Sequence, residues 1–305
     1  MSDPRLDCLI IGGGPAGLTA AIYLARFHLN VLVVDRGAGR ARSIPLTNNH
    51  AGYPEGVSGN ELLNRMYLQA QRFGAEIRTG EIKALSKSPN GFRALIGPET
   101  IVARTALLAT GVINNRPSMP TKVHDAAVAR NLLRYCPVCD GFEVTDRRVA
   151  VIGSGQQGAS EALFIRSFTK DVTLIAPDGA HVLSDGDRNK LSEAQVVMID
   201  GPVAGYAISD GEMTVRSSVD PMTFDAVYPA LGSIAQSALA AAMGAEVTHS
   251  GCIKVDAHQR TSVSGVYAAG DVVLGLDQIS HAMGEAGVAA TAIRNDLNAI
   301  IPIFR

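Results

Sequence analysis

Few charges, few cysteines and no unbroken apolar run mark this sequence, and each shortage closes off a class of function. Only 18% of residues are charged, the 27 Lys and Arg are nearly matched by 29 Asp and Glu, and no basic block stands out. The positive footprint that nucleic-acid binding needs is missing. The apolar stretch near the start, Leu9 to Leu24, is interrupted by Gly12, Gly13, Gly14, Pro15 and Gly17. It is therefore expected to be neither a signal peptide nor a membrane span. Four cysteines in 305 residues are too few for a secreted disulfide framework, so a reducing, cytoplasmic location is expected. In that setting a close cysteine pair means redox chemistry or metal. No low-complexity tract appears, and 47% hydrophobic residues leave no scope for extensive disorder.

What is present is organised as two similar units. A chain of 305 residues exceeds what one core usually serves. Asp7 to Gly12 reads as a short buried strand, Pro15 to Phe27 as a helix and Val31 to Asp35 as a second buried strand. The same βαβ order recurs with Arg148 to Gly153, Ala159 to Phe168 and Val172 to Ile175. Thr110, Gly111, Pro117 and Pro120 break the periodicity between them and predict a hinge, with a return crossing near Gly232. A strand over Gly265 to Ala269 and a helix from about Gln278 to Leu297 close the chain. The expected fold is α/β, with two Rossmann-like dinucleotide-binding domains, the second inserted into the first. Residues 1–115 and 234–305 form one domain and 116–233 the other.

Between the first strand and helix lies Gly12-Gly13-Gly14-Pro15-Ala16-Gly17, a G-x-G-x-x-G loop in the context its physics requires. Gly12 allows the tight turn, Gly14 lets backbone N–H groups reach a pyrophosphate, and Gly17 permits close helix–strand packing. Asp35 ends the next strand at roughly the twenty-residue spacing of an acid that binds an adenosine ribose. The loop alone separates neither FAD from NAD nor a ligand site from a bare glycine turn. The far end of the chain favours FAD. There Gly270 would let a ligand pass the backbone and Asp271 would bond a ribityl hydroxyl. The helix start near Gln278 and Ile279 would stabilise a reduced, anionic ring.

Cys136-Pro-Val-Cys139-Asp140 is a C-x-x-C pair followed at once by an acid. A zinc site would want a second pair or clustered histidines, whereas Cys8 and Cys252 stand alone. A thioredoxin-like fold would place the pair at the start of a helix after a strand of its own small domain, but here it directly precedes the second βαβ unit. A redox dithiol serving a flavin is favoured, with Asp140 as a proton donor or acceptor for a departing thiolate.

Gly12 to Gly17, Leu108-Ala-Thr110-Gly111 and Val266-Tyr-Ala-Ala-Gly270-Asp271 together resemble the FAD signature of the two-dinucleotide-binding-domain flavoproteins. Asn49-His-Ala-Gly-Tyr-Pro-Glu-Gly, Gly59-Asn-Glu-Leu and the run from Met66 to Glu76 are similar to the low-molecular-weight thioredoxin reductases. The resemblance implies an FAD site that includes Pro15, Ala16, Asn49, Thr110, Gly111, Gln278 and Ile279. It implies catalysis by Cys136, Cys139 and Asp140, a middle domain that rotates, a homodimer, and a thioredoxin-like protein or small disulfide as substrate. The expected cycle runs from donor to FAD, from FAD to the disulfide, and from the dithiol to the substrate. Two other readings keep the flavin: a dithiol oxidase using oxygen on a small molecule, and a flavin-binding sensor without turnover.

The second loop, Gly153-Ser-Gly155-Gln-Gln-Gly158, is also placed to accept a pyrophosphate. In the family, the next strand ends in His-Arg-Arg, whose arginines bind the 2′-phosphate of NADPH; this chain has Ala176-Pro-Asp178 and no arginine until Arg188. Losing two charge-assisted hydrogen bonds at about 1.5–3 kcal/mol each weakens NADPH binding roughly 10²–10⁴-fold. Asp178 offers NADH its ribose contact at best two residues beyond the usual place. A ferredoxin or flavoprotein donor is compatible with this pattern. The segment Arg36 to Arg42 also departs from the family, with Arg40 and Arg42 read either as contacts to the FAD pyrophosphate or as solvated loop charges. His281 and Glu285, four apart on one helix face, are extra to the pattern and are expected to be a surface or dimer-interface pair.

Overall fold

The computed structural model describes residues 6–89, 91–218, 220–300 and 302. The chain divides into two compact units. The first runs to Ser43, resumes over Val57–Ile113 and returns from Ile234, and the second takes Ile44–Gly56 and Asn114–Ser233.

The first unit opens with β1 (Leu6–Ile11), α1 (Pro15–Arg26) and β2 (Val31–Asp35), the two strands parallel. Because side chains alternate along a strand, Cys8 and Ile10 enter one core with Val31 and Val33, and Leu9 and Ile11 enter the other with Leu32 and Val34. Both faces are covered, which is why these strands read as unbroken apolar runs. There follow α2 (Gly59–Arg72), β3 (Glu76–Thr79), β4 (Ile82–Ser88), β5 (Gly91–Ile96) and β6 (Glu99–Leu108). The start of α2 is a capping box in which Ser58 Oγ accepts the Glu61 N–H at 3.1 Å. The strands lie in the order β3-β2-β1-β6-β5-β4, with β4, β5 and β6 antiparallel to one another in turn. Then β7 (Val112–Asn114) leads out of the unit.

The second unit contains α3 (Thr121–Ala129), α4 (Pro137–Asp140), β8 (Val149–Ile152), α5 (Gly155–Ile165), β9 (Val172–Ile175), α6 (Asp185–Glu193) and β10 (Val197–Ile199). A meander of β11 (Gly205–Ser209), β12 (Glu212–Arg216) and β13 (Met222–Phe224) precedes β14 (Ala226–Pro229). The parallel sheet has the order β10-β9-β8-β14. Val149 and Val151 pack with Ala159, Ala162 and Leu191 on one face; Ala150 and Ile152 pack with Leu133, Met213 and Phe224 on the other.

The chain returns through β15 (Ser233–Ala235), which pairs with β7 as a two-stranded ribbon, and continues as α7 (Ala238–Ala242), β16 (Val266–Ala268) and α8 (Ile279–Ile300). β16 adds to the first sheet parallel to β6. In the first core α8 brings Ala286, Ala289 and Ala290 to the face where α1 brings Ala20 and Ala21, all fully buried. Small side chains allow such close helix approach, and each large residue beside them, such as Leu24 or Ile293, adds about 1.5–3 kcal/mol on burial. The fold is α/β with two Rossmann-like sheets, as the sequence leads one to expect.

Candidate active site

The first glycine loop joins β1 to α1. Gly12 has a φ of +110° and lies so close to the Ala109 carbonyl that a Cβ there would overlap it. Gly14 is different. A Cβ on it would meet no protein atom within 4 Å, so the space above it is open. Gly14 caps α1 without a side-chain hydrogen bond and Pro15 occupies the first turn. The N–H groups of that turn thus have no capping side chain at the N-cap, an arrangement suited to receive an anion. Ala16 and Gly17 are buried in the same turn. Asp35 stands beside the loop, its Cβ 2.7 Å from where a Cβ on Gly13 would fall.

Across the same unit, Gly270 follows β16 with a φ of +79°, and Asp271 comes next. The two loop arginines turn back onto these acids. Arg40 reaches Asp271 at 2.7 Å and Asp277 at 3.1 Å, and Arg42 reaches Asp35 at 3.3 Å. Burial pushes the Asp271 carboxyl above its ordinary range, against the opposing pull of Arg40. Gln278 immediately precedes α8, and Ile279 is its first residue. Glu285, expected at the surface, is largely buried: its Oε2 accepts the Gly270 N–H at 2.7 Å and its Oε1 lies 3.1 Å from His281 Nε2. The pair is thereby tied to the Gly270–Asp271 turn. Thr110 donates its hydroxyl to the Gln236 carbonyl at 2.7 Å, and Gly111 accepts the Gln236 N–H at 2.9 Å. Asn49 belongs to the segment grouped with the second unit, where its Oδ1 accepts from the Thr47 hydroxyl at 2.8 Å.

Cys136 and Cys139 are joined as a disulfide at the start of α4, their Cα atoms 5.2 Å apart. Pro137 in the first turn sets the backbone for this tight winding. The Cys139 N–H points at the Cys136 sulfur at 3.2 Å, a donor that favours a thiolate there once the bond is open. Asp140 ends α4. Its Oδ2 accepts from Arg134 Nη1 at 2.9 Å and its Oδ1 from the Tyr228 hydroxyl at 2.8 Å. Burial drives the Asp140 carboxyl above the usual carboxylate range, with Arg134 and Tyr228 pulling the other way. Arg134 and Tyr228 are absent from the sequence reading. Arg134 carries a weak signal, a cation two residues before Cys136, but Tyr228 comes from 88 residues away and carries none.

The second glycine loop joins β8 to α5. Close packing accounts for its first and third glycines, since a Cβ on Gly153 would fall 2.9 Å from the Ala230 Cβ and one on Gly158 2.8 Å from the Gly153 carbonyl carbon, while one on Gly155 would meet only the Val182 carbonyl oxygen at 3.5 Å. Ser154 does not cap α5; its hydroxyl accepts the Val182 N–H at 2.8 Å and lies 3.3 Å from the ring of the buried His181. Gly155 begins the helix with a φ of +61°. Past β9, the residues from Ala176 to Asp187 include exposed Asp178 and no lysine or arginine.

A family model described as pyridine nucleotide-disulphide oxidoreductase matches residues 6–286. That match spans both units, the glycine loops and the cysteine pair. The chain belongs to this family. Within it, the chain is a member of the low-molecular-weight thioredoxin reductase group. It is 32% identical to the thioredoxin reductase of Mycolicibacterium smegmatis, with 88% of each chain covered. The structure of thioredoxin reductase from Streptococcus pyogenes MGAS5005 superposes with a TM-score of 0.90 at 27% identity, covering 98% of this chain and 100% of that one. The atypical thioredoxin reductase TRi from Desulfovibrio vulgaris Hildenborough is 31% identical over 98% of this chain and 100% of that one, with a TM-score of 0.56. As a family member carrying the Cys136–Cys139 couple, this chain is an FAD-dependent disulfide oxidoreductase. The oxidase and sensor readings find no comparable support. The uncapped α1, the open space over Gly14 and the acids Asp35 and Asp271 form a cradle that fits a flavin dinucleotide. No helix among the described residues is long and apolar enough to cross a membrane.

Proposed function

We propose that this enzyme reduces the disulfide of a thioredoxin-like protein through Cys136 and Cys139, and that its electron donor is not NADPH. The observation that carries the first part is the disulfide closed within one helical turn and bordered by a carboxyl with both oxygens engaged. In this reading Gly12, Gly14, Pro15, Ala16 and Gly17 receive the FAD pyrophosphate, Asp35 the adenosine ribose and Asp271 the ribityl chain, with Thr110, Gly111, Gly270, Gln278, Ile279 and Asn49 completing the surroundings. FAD held by these residues would supply the electron pair needed to open the Cys136–Cys139 bond. Asp140 holds the proton that the departing sulfur takes up. The resulting dithiol attacks the substrate disulfide, and the second cysteine resolves the mixed disulfide. The named relatives, all thioredoxin reductases, support a thioredoxin-like substrate.

The second part rests on the surroundings of Gly153, Gly155 and Gly158. Ser154 is engaged by Val182 and His181, and no Lys or Arg side chain follows β9 for twelve positions (176–187), so neither NADPH nor NADH finds a strong partner for its adenosine end. A reduced ferredoxin or flavoprotein fits better. Anaerobic titration with NADPH, NADH and reduced ferredoxin, followed by flavin bleaching, tests this directly; bleaching by low NADPH overturns it. Replacing Cys136 by Ser should leave flavin colour intact and lower reduction of thioredoxin at least about a thousandfold. Retained turnover in that variant would end the dithiol assignment.

A further inference from the structure

We infer that Arg134 and Tyr228 are positioning residues for the dithiol: by engaging both carboxyl oxygens of Asp140, they hold it beside Cys139 as the group that exchanges a proton with the sulfurs. The inference rests on the reading of Cys136, Cys139 and Asp140 as the reactive group and adds how the acid is set. Arg134 Nη1 donates to Oδ2 at 2.9 Å, and the Tyr228 hydroxyl donates to Oδ1 at 2.8 Å and lies 3.3 Å from the Asp140 carbonyl oxygen. A carboxyl gripped at both oxygens has one orientation.

Both clamps are referenced to the same strand. Tyr228 is on β14 with its ring fully buried, so the phenol cannot swing away. The Arg134 N–H donates to the carbonyl of Val227, the neighbour of Tyr228, at 2.9 Å. The Arg134 side chain is only 12% exposed. Burying a guanidinium is costly, and such a pair is weak evidence for stability as such; an arginine placed in that way against the acid next to a redox disulfide points to control of that acid. The charged and titratable groups facing Asp140 are Arg134, Tyr228 and Glu143, and Glu143 is itself held by Asn48 Nδ2 at 2.6 Å.

The step it governs can be followed with a small aromatic disulfide as oxidant. One protein thiolate attacks a sulfur of the probe, the probe's S–S bond breaks, and one aromatic thiolate leaves. The second protein thiol passes its proton to the Asp140 carboxylate and attacks the mixed disulfide. The second aromatic thiolate leaves and Cys136–Cys139 closes. Only ionised Asp140 can take that proton, so the rate rises with pH through its titration. Removing the cation or the phenol donor disfavours the carboxylate, and the rise must move to higher pH.

The experiment uses the flavin-loaded protein, reduced with dithiothreitol, desalted under argon and mixed with 5,5′-dithiobis(2-nitrobenzoate) over pH 4.5 to 9. Arg134→Met and Tyr228→Phe should each shift the inflection upward by about one pH unit, with Arg134→Lys lying closer to wild type. Asp140→Asn should abolish the carboxylate's inflection and leave only the one from ionisation of the attacking thiol. If Asp140→Asn retains the wild-type profile, the proton-exchange reading of Asp140 falls and this inference with it. If Asp140→Asn loses the inflection while Arg134→Met and Tyr228→Phe titrate like wild type, the positioning inference alone is wrong. Arg134→Lys preserves the charge and Tyr228→Phe the buried ring, so a shift in Tyr228→Phe decides the matter should Arg134→Met fail to fold.

Discussion

The two glycine loops have the same spacing and the same strand–turn–helix setting, yet their surroundings differ in kind. Both helix starts lack a side-chain cap, but around Gly12 to Gly17 Gly14 opens onto free space and two arginine–acid pairs, Arg40 with Asp271 and Arg42 with Asp35, stand close by. In both loops the first and third glycines serve the contact between strand and helix, but around Gly153 to Gly158 the middle glycine has the Val182 carbonyl oxygen within reach, Ser154 is tied to Val182 and His181, and the next turn presents an aspartate in place of a cation. A glycine loop thus records a backbone geometry. How firmly that geometry holds a nucleotide depends on what the rest of the unit brings to it, and the charged side chains brought to the two loops differ.

The contrast can be broken most strongly by giving the second loop what it lacks. Replacing Pro177 and Asp178 with arginine should tighten NADPH binding by roughly 10²–10⁴-fold, the worth of two charge-assisted contacts. Isothermal titration of the variant against wild type measures it, and an unchanged affinity would mean that the loop itself is closed to nucleotides. A smaller effect separates the ligand-facing middle glycine from the packed first glycine. Gly14→Ala should weaken FAD retention by about 10–100-fold with little change in the melting temperature of the apoprotein, because its methyl enters open space that only the ligand fills. Gly153→Ala should do the reverse, lowering stability by about 1–3 kcal/mol through its clash with Ala230 while leaving FAD bound. Parallel melting and flavin-release measurements distinguish them.

An effect confined to neutral and higher pH concerns Glu161 on α5, the helix that the second loop opens. Burial alone pushes its carboxyl up to about 7, and its Oε1 has no hydrogen-bond partner among the described residues. A folded-state pKa above the unfolded one means that the native protein binds the extra proton, so stability falls as pH rises from the ordinary glutamate range to about 7. Glu161→Gln should remove that slope, stabilising the protein by about 1–3 kcal/mol at pH 8 and by almost nothing at pH 4.5. Denaturant melts at the two pH values give the answer, and equal gains at both would remove Glu161 as the source.

The parts of the site that could be read in advance are those in which neighbouring residues share one task. Gly12 with Asp35, Gly270 with Asp271, and Cys136 with Cys139 and Asp140 each lie within a single turn or βαβ unit, where spacing dictates geometry. The antiparallel strands β4 to β6 and the meander β11 to β13 carry no comparable signature, because short alternating strands are specified by their partners across the sheet. His281 and Glu285 look like an exposed helical pair in sequence; the Gly270 N–H that draws Glu285 inward lies 15 residues away and outside the helix. Arg40 and Arg42 likewise read as loop charges until the fold places them on Asp271 and Asp35.

By itself the sequence determined the α/β class, the two glycine turns and the redox couple, since these follow from local periodicity, positive-φ positions and a three-residue separation. Tertiary structure alone decided which charges meet: Arg134 and Tyr228 on Asp140, Arg40 on Asp271, and Ser154 on Val182. Electrostatic and hydrogen-bond energies depend on distance in space and on burial, and folding sets both by bringing together residues that chain order keeps far apart.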